Sequence, residues 1–269
     1  MRAHCVRLLM LATVAIGQSA LACIELNGEV RQGALLWGAV NPDSEVYLDD
    51  EALLVSTEGI VVFGLGRDPT GTLILRVEGP QSCVLSLQIA TREYRIQRVE
   101  GVPQRTVTPD PEDLERIRRE AALVKSARKN SSSRTHFAAG FQWPVLGPVS
   151  GVYGSQRVYN GNPGRPHYGV DVAVPKGTPV GAPAPGVVVL AEPDLFYSGG
   201  TIIIDHGSEV SSSFLHLSEV SVEVGATVEA GEIVGKVGST GRATGPHLDW
   251  RMNWRNRRVD PQLLVPPMP

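Results

Sequence analysis

Three absences narrow the reading before any motif is considered. There is no basic excess to form a nucleic-acid footprint, since 28 acidic residues face 25 basic ones and the formal net charge is −3. After residue 22 no apolar run approaches the roughly 20 residues of a membrane-spanning helix, so no transmembrane segment is expected once those residues are removed. The chain also lacks a strand–helix–strand rhythm, which argues against a doubly wound parallel sheet. What remains is ordinary globular material. At 269 residues and 42% hydrophobic content the chain can bury substantial cores, and its length allows about two domains.

Residues 1–22 have the composition of an export signal. Arg2 and Arg7 precede an apolar stretch from Leu8 to Ile16, and small residues follow at Ala20-Leu-Ala22. The expected location is periplasmic or cell-envelope associated, with Cys23 as the first mature residue. Of the 3 cysteines, Cys5 falls in the leader and Cys23 and Cys83 remain. An even pair in an oxidising compartment suggests one disulfide. The alternative is lipid anchoring at Cys23, because Leu21-Ala22-Cys23 partly matches a lipoprotein cleavage site.

The expected organisation is mainly β. From 23 to 102, short β-rich runs such as Gly59-Ile-Val-Val-Phe63 and Thr72-Leu-Ile-Leu-Arg-Val77 alternate with turn residues, which suggests a small β-sandwich, a spacer or docking module. Residues 103–136 read as a helical linker. Within it, the run from Pro111 to Arg128 carries acids in its first turn and bases toward its end, with Leu114, Ile117, Ala121 and Val124 on one packing face. Residues 137–269 form a second β-rich domain, in which Gly186-Val-Val-Val-Leu190 and Thr201-Ile-Ile-Ile-Asp205 have the pattern of buried strands. The loops Val158–Arg165 and Glu192–Gly200 are expected at the rim of a groove.

The candidate chemistry lies in that last region. His167-Tyr-Gly-Val-Asp171 sets an imidazole and a carboxylate four residues apart, on one face in a strand or a helical turn. In an extended His247-Leu-Asp249 the His and Asp share a face, while Leu248, Trp250 and Met252 look the other way. Imidazole nitrogen and carboxylate oxygen are the donors of catalytic zinc sites, where three protein groups leave one position for water. His216, in Ser213-Phe-Leu-His-Leu217, is a further imidazole to serve that water. No His-Glu-x-x-His pattern supplies a glutamate base, so imidazoles must do that work. His206 reads as a hydrogen-bonded structural group, and Asp205 as a turn cap. Glu192 and Asp194 read as solvated loop residues. Arg157 either pairs with a structural carboxylate or meets a substrate carboxylate.

Six separated segments agree in order with one family: Gly151-Val-Tyr-Gly-Ser-Gln-Arg157, His167-x-Gly-x-Asp171, Gly177-Thr-Pro-Val through Gly186-Val187, Ile204-Asp-His-Gly207, Phe214-Leu-His-Leu-Ser218 and Gly245-Pro-His-Leu-Asp-Trp250. Over roughly 140–262 the chain resembles the lysostaphin-type zinc peptidoglycan endopeptidases. The resemblance implies an antiparallel sheet with a metal on one face of a loop-bounded groove. It also implies His167 and Asp171 as ligands to Zn2+, His216 and His247 as catalytic groups, and peptidoglycan peptides as substrate. One position departs from the pattern: Asp249 stands where the family carries its third ligand, a His. An Asp oxygen and a His Nδ1 are equally far from Cα, so Asp249 can take that place. Two carboxylates would then neutralise the dication, acidify its water less, and admit another divalent metal. Asp249 also supports a second expectation, a weak or inactive wall-binding protein that recruits or activates another cell-wall hydrolase or a division protein.

Overall fold

The computed structural model describes residues 23–99, 110–129, 132–159 and 161–269. The expected leader at 1–22 lies outside them, as does part of the expected linker. Within 23–99, β-branched and large apolar residues alternate with turns to give two small sheets. Strands β1 (Leu26–Asn27), β2 (Leu35–Ala39) and β5 (Ile60–Gly64) form one, in the order β1-β2-β5. The second takes β3 (Glu45–Leu48), β4 (Glu51–Leu53), β6 (Thr72–Glu78) and β7 (Cys83–Gln88) in the order β4-β3-β6-β7. Leu36, Phe63, Val46, Leu75 and Val77 are buried between them. Cys23 and Cys83 form a disulfide across 60 residues, tying the approach to β1 to the start of β7, so the Cys23 thiol is engaged there.

The next strand, β8 (Ile96–Val99), ends this region. After a 3₁₀ turn at Pro111–Asp113 comes the single α-helix among the described residues, α1 (Leu114–Ala127). Glu112, Asp113 and Glu115 lie in the opening turns and Lys125 in the last, matching the helix dipole. No residue of α1 is fully buried. Of the expected packing stripe, Leu114, Ile117 and Val124 are half-buried and Ala121 is exposed. Contact concentrates at the helix C-terminal end, where Val124 and Ala127 meet Leu190, Leu195 and Ile203. The other end is pinned by polar groups: Arg116 bridges Glu120 and Asp194, and Glu120 accepts the Phe196 N–H at 2.7 Å. Asp194, expected to be merely solvated, is therefore an ion-pair partner of the helix.

The remaining strands are β9 (Val149–Gly151), β10 (Gln156–Tyr159), β11 (Asn162–Pro163), β12 (Val170–Val172), β13 (Pro179–Gly181), β14 (Gly186–Leu195), β15 (Gly199–Gly207), β16 (Val210–Leu217), β17 (Glu219–Val220), β18 (Thr227–Val228), β19 (Ile233–Lys236), β20 (Leu248–Trp254) and β21 (Arg257–Val259). Eight of them build the main sheet, in the order β18-β14-β15-β16-β20-β12-β9, with β21 added on β20. Its pairings are antiparallel. Strands β13, β19 and β17 form a small separate sheet. In a third, β8 runs parallel to β10, with Gln156 opposite Ile96, so the first region contributes a strand to the second.

Alternation divides the main sheet into two faces. Val170, Val172, Leu248, Trp250, Met252, Phe214, Ile202 and Ile204 point into the apolar core. That core is continuous with the buried residues of 23–99. The opposite face carries two cross-strand rows. Leu190, Ile203, Ser213 and Arg251 line up in one, and Leu215, Asp249 and Asp171 in the other. Helix α1 packs on this second face, where Val124 and Ala127 cover Ile203 of the fully buried strand β15.

Candidate active site

The register of β12 against β20 places Asp171 directly opposite Asp249, both on the polar face. His167 reaches the same spot from the loop before β12. Its N–H donates to Ser155 O at 2.7 Å and its carbonyl accepts from Gly154 N at 2.8 Å, which fixes the loop. One potential ligand atom from each of His167, Asp171 and Asp249 lies within 4.8 Å of the others. His167 Nε2 and Asp171 Oδ1 stand 3.2 Å apart. Both atoms are buried without a hydrogen-bond partner. A pair of orphaned buried polar atoms facing one point is costly unless something satisfies both. A divalent cation would do so, and the donor set fits one. Two glycines leave room for the carboxylates, since a Cβ at Gly151 would collide with Asp171 Oδ2 and a Cβ at Gly169 with Asp249 Oδ1.

Two more imidazoles flank the cluster. The rings of His216 and His247 lie 4.9 Å apart, and His247 Nε2 is 3.9 Å from Asp171 Oδ1. His216 Nδ1 contacts Thr240 O and His247 Nδ1 contacts Gly245 O, each at 2.8 Å. Carbonyl oxygens only accept, so both Nδ1 atoms carry hydrogen and both Nε2 atoms are free to accept a proton in the neutral ring. His216 sits at φ +65°, a left-handed backbone that is strained for a residue with a side chain. A Cβ at Gly238 would run into His216 O, so this glycine accommodates the bend.

Burial pushes the His216 imidazole below its ordinary pKa and favours the neutral form. Burial acts the same way on His167, but the Asp171 and Asp249 carboxylates outweigh it and raise that imidazole above its ordinary value. Asp249 would be raised by burial, yet the Arg251 guanidinium holds it below the usual carboxylate range. Arg251 was not expected at this site. It lies two residues past Asp249 on the same strand face, so the alternation that linked His247 to Asp249 would have found it one step further on. Its Nε donates to Asp249 Oδ1 at 2.9 Å and Oδ2 at 3.1 Å, and its Nη2 donates to Oδ2.

This arginine corrects the charge expected at the cluster. Two carboxylates would neutralise a dication, but with the guanidinium beside them the same set carries one net positive charge. Further along this face the Arg128 guanidinium, just past α1, donates to Ser213 Oγ at 3.1 Å, and burial with the Arg251 charge brings its pKa down to about 10. Arg258 donates to Asn253 Oδ1 at 2.7 Å.

His206 is fully buried away from the cluster, its Nδ1 against Pro185 O and Nε2 against Ser212 Oγ, both at 2.8 Å. Asp205 accepts from Gly207 N and Ser132 Oγ, the local capping role read from the sequence. Arg157 is exposed on β10.

An antiparallel sheet with a His-Asp-Asp cluster and two flanking imidazoles on its polar face defines a metallopeptidase-like site. The model of peptidase family M23 matches residues 165–261. A crystal structure of a putative peptidase M23 from Pseudomonas aeruginosa is 32% identical, with a TM-score of 0.66, covering 87% of this chain and 94% of that one. The chain belongs to peptidase family M23. The peptidoglycan DD-endopeptidase ShyA of Vibrio cholerae is 41% identical over 103 residues, 38% of this chain and 24% of its own length. The cell division protein DipM of Caulobacter vibrioides is 28% identical over 166 residues, 60% of this chain and 26% of its own length. The chain thus spans about a quarter of the length of these curated relatives. Among the described residues no helix is long and apolar enough to cross a membrane.

Proposed function

We propose that this chain is an exported zinc-dependent endopeptidase that hydrolyses peptide stems or cross-links of bacterial peptidoglycan. The observation that carries the reading is the pair of orphaned buried atoms, His167 Nε2 and Asp171 Oδ1, aimed at one point beside Asp249. His167, Asp171 and Asp249 would hold the ion. When bound, it would polarise the scissile carbonyl and acidify a water, the two services such ions supply in hydrolases.

The chain's own groups do the rest. His216 and His247 each leave Nε2 bare, so one of them takes the proton of the attacking water, and the Nε2–H it then carries donates to the developing oxyanion and passes to the leaving amine, while the other accepts a hydrogen bond from the water and orients it. The Thr240 and Gly245 carbonyls hold the required tautomers. The Cys23–Cys83 disulfide supports an oxidising, envelope location. The region 23–102 serves as a spacer or docking module and 137–269 as the peptidase domain. Arg157, exposed on β10, would meet a substrate carboxylate.

A second reading is favoured by one observation. Arg251 occupies lone pairs of Asp249 that a metal would use, as expected of a metal-free wall protein that recruits or activates another hydrolase. Purified protein, assayed for metal content and incubated with isolated peptidoglycan, separates the two. The enzyme reading expects one zinc per chain and peptide fragments, identified by mass, that vanish on chelation. A folded, metal-free protein that leaves peptidoglycan intact would favour the regulator.

A further inference from the structure

We propose that Asp249 and Arg251 act as one neutral ligand unit, in which the guanidinium sets both the charge of the metal site and its affinity for a divalent ion. This rests on the metal-site reading above. Arg251 holds both oxygens of Asp249, and the pair is largely screened from water, with side-chain exposures of 26% and 3%. A single missing side chain makes room for both members, because a Cβ at Gly169 would strike Asp249 Oδ1 and Arg251 Cγ alike. The pair is therefore built into the sheet rather than adventitious.

Its chemistry follows from counting lone pairs and charges. A carboxylate oxygen has two acceptor sites, so Asp249 Oδ1 can accept the Arg251 Nε hydrogen and still offer a lone pair to an ion. The pair itself is neutral, leaving Asp171 as the one uncompensated carboxylate. A divalent ion then keeps a net positive charge, as it would with a neutral imidazole in place of the pair. The same guanidinium repels the ion across a few ångströms of poorly solvated protein, so affinity is lower than the bare donor set would give. Replacing Asp249 by His alone should accordingly fail. It would leave Arg251 without its carboxylate and put an unopposed cation beside the ion.

The test is zinc affinity, measured by competition with a chromophoric chelator, in the parent, Arg251→Gln, Asp249→His and the double variant. Arg251→Gln should bind roughly tenfold tighter than the parent and Asp249→His roughly 100-fold weaker, with the double variant recovering most of that loss. Arg251→Gln does not carry the test alone, since it strands Asp249 as a buried carboxylate. Asp249→His strands the Arg251 guanidinium in turn, so affinity is compared in protein shown folded by circular dichroism, and the comparison of Asp249→His with Asp249→His/Arg251→Gln, which strands no charge, decides the matter. Unchanged or weaker binding on adding Arg251→Gln to Asp249→His would overturn the proposal while leaving the metal site in place. A folded parent that binds no zinc would remove the metal-site reading and this inference together.

Discussion

At His167 and the two flanking imidazoles, position dictates different losses. His167 offers a ring nitrogen with no other partner, so His167→Ala should abolish zinc binding and leave the melting temperature of the metal-free protein nearly unchanged. Retained zinc in that variant would remove it from the ligand set. His216→Ala and His247→Ala should keep zinc and lose about 10²–10⁴-fold in peptidoglycan hydrolysis, the usual contribution of a positioned acid or base. Parent-level turnover in both would make these imidazoles structural. His206 is different, because its role belongs to the fold. Complete burial brings its pKa down to about 4, while in the unfolded chain it titrates near 6.5. The unfolded state therefore takes up the proton first. The stability from keeping His206 neutral is full above pH 6.5 and is lost as pH falls toward 4, by up to about 3 kcal/mol. Chemical denaturation between pH 7 and pH 4 should show that slope in the parent and a flatter one in His206→Gln. Equal slopes would mean that the imidazole is not held neutral.

Asp171 and Asp249 were legible because period-two alternation carries directly into a strand face; His167, His216 and His247 were legible as motif residues, while the loop before β12 and the left-handed backbone at His216 that bring them to the cluster were not. Arg251 follows the same alternation but bears no ligand atom, so a search for donors passed over it. The Thr240 and Gly245 carbonyls that fix the two tautomers were hidden for another reason, since backbone acceptors leave no mark in the side-chain sequence.

At the scale of elements, α1 rests on the sheet face that carries the site. Its charge gradient marked it as a helix, yet its packing could not be read from the stripe alone. Polar anchors at Arg116 and Glu120 and the small cluster at its end determine where it lies. Ile203 is fully buried in that cluster, against Leu190 and Leu195 and under Val124 and Ala127. Ile203→Ala should therefore cost about 2–5 kcal/mol in urea denaturation and leave zinc per folded molecule unchanged. A loss of zinc in the folded variant would mean that the helix end shapes the ligand cluster. The parallel pairing of β8 with β10 was likewise beyond the sequence, which names strands but not partners 60 residues away.

For the whole molecule, the mainly β architecture was legible from strand patterns and the absence of a βαβ rhythm, and the antiparallel sheet came from the family resemblance. The shared core was less so, because apolar residues in 23–99 are patterned like those of any small sandwich. Continuity of the buried residues from Ile24 to Val259 couples the two regions. The Cys23–Cys83 bridge closes a 60-residue separation within the first region. Its reduction should cost about 4 kcal/mol in the chain-entropy account, read as a drop in the urea midpoint with reductant. An unchanged midpoint would show that the shared core alone holds this region.

Every catalytic role proposed for this site requires that His167, Asp171 and Asp249 hold one ion. Anomalous diffraction above and below the zinc edge, from crystals soaked with zinc, measures that directly. It should give a single strong peak about 2.0–2.2 Å from His167 Nε2, Asp171 Oδ1 and one oxygen of Asp249, with Arg251 still paired to that carboxylate. No peak at the cluster, with Arg251 holding both oxygens of Asp249 as before, would contradict it.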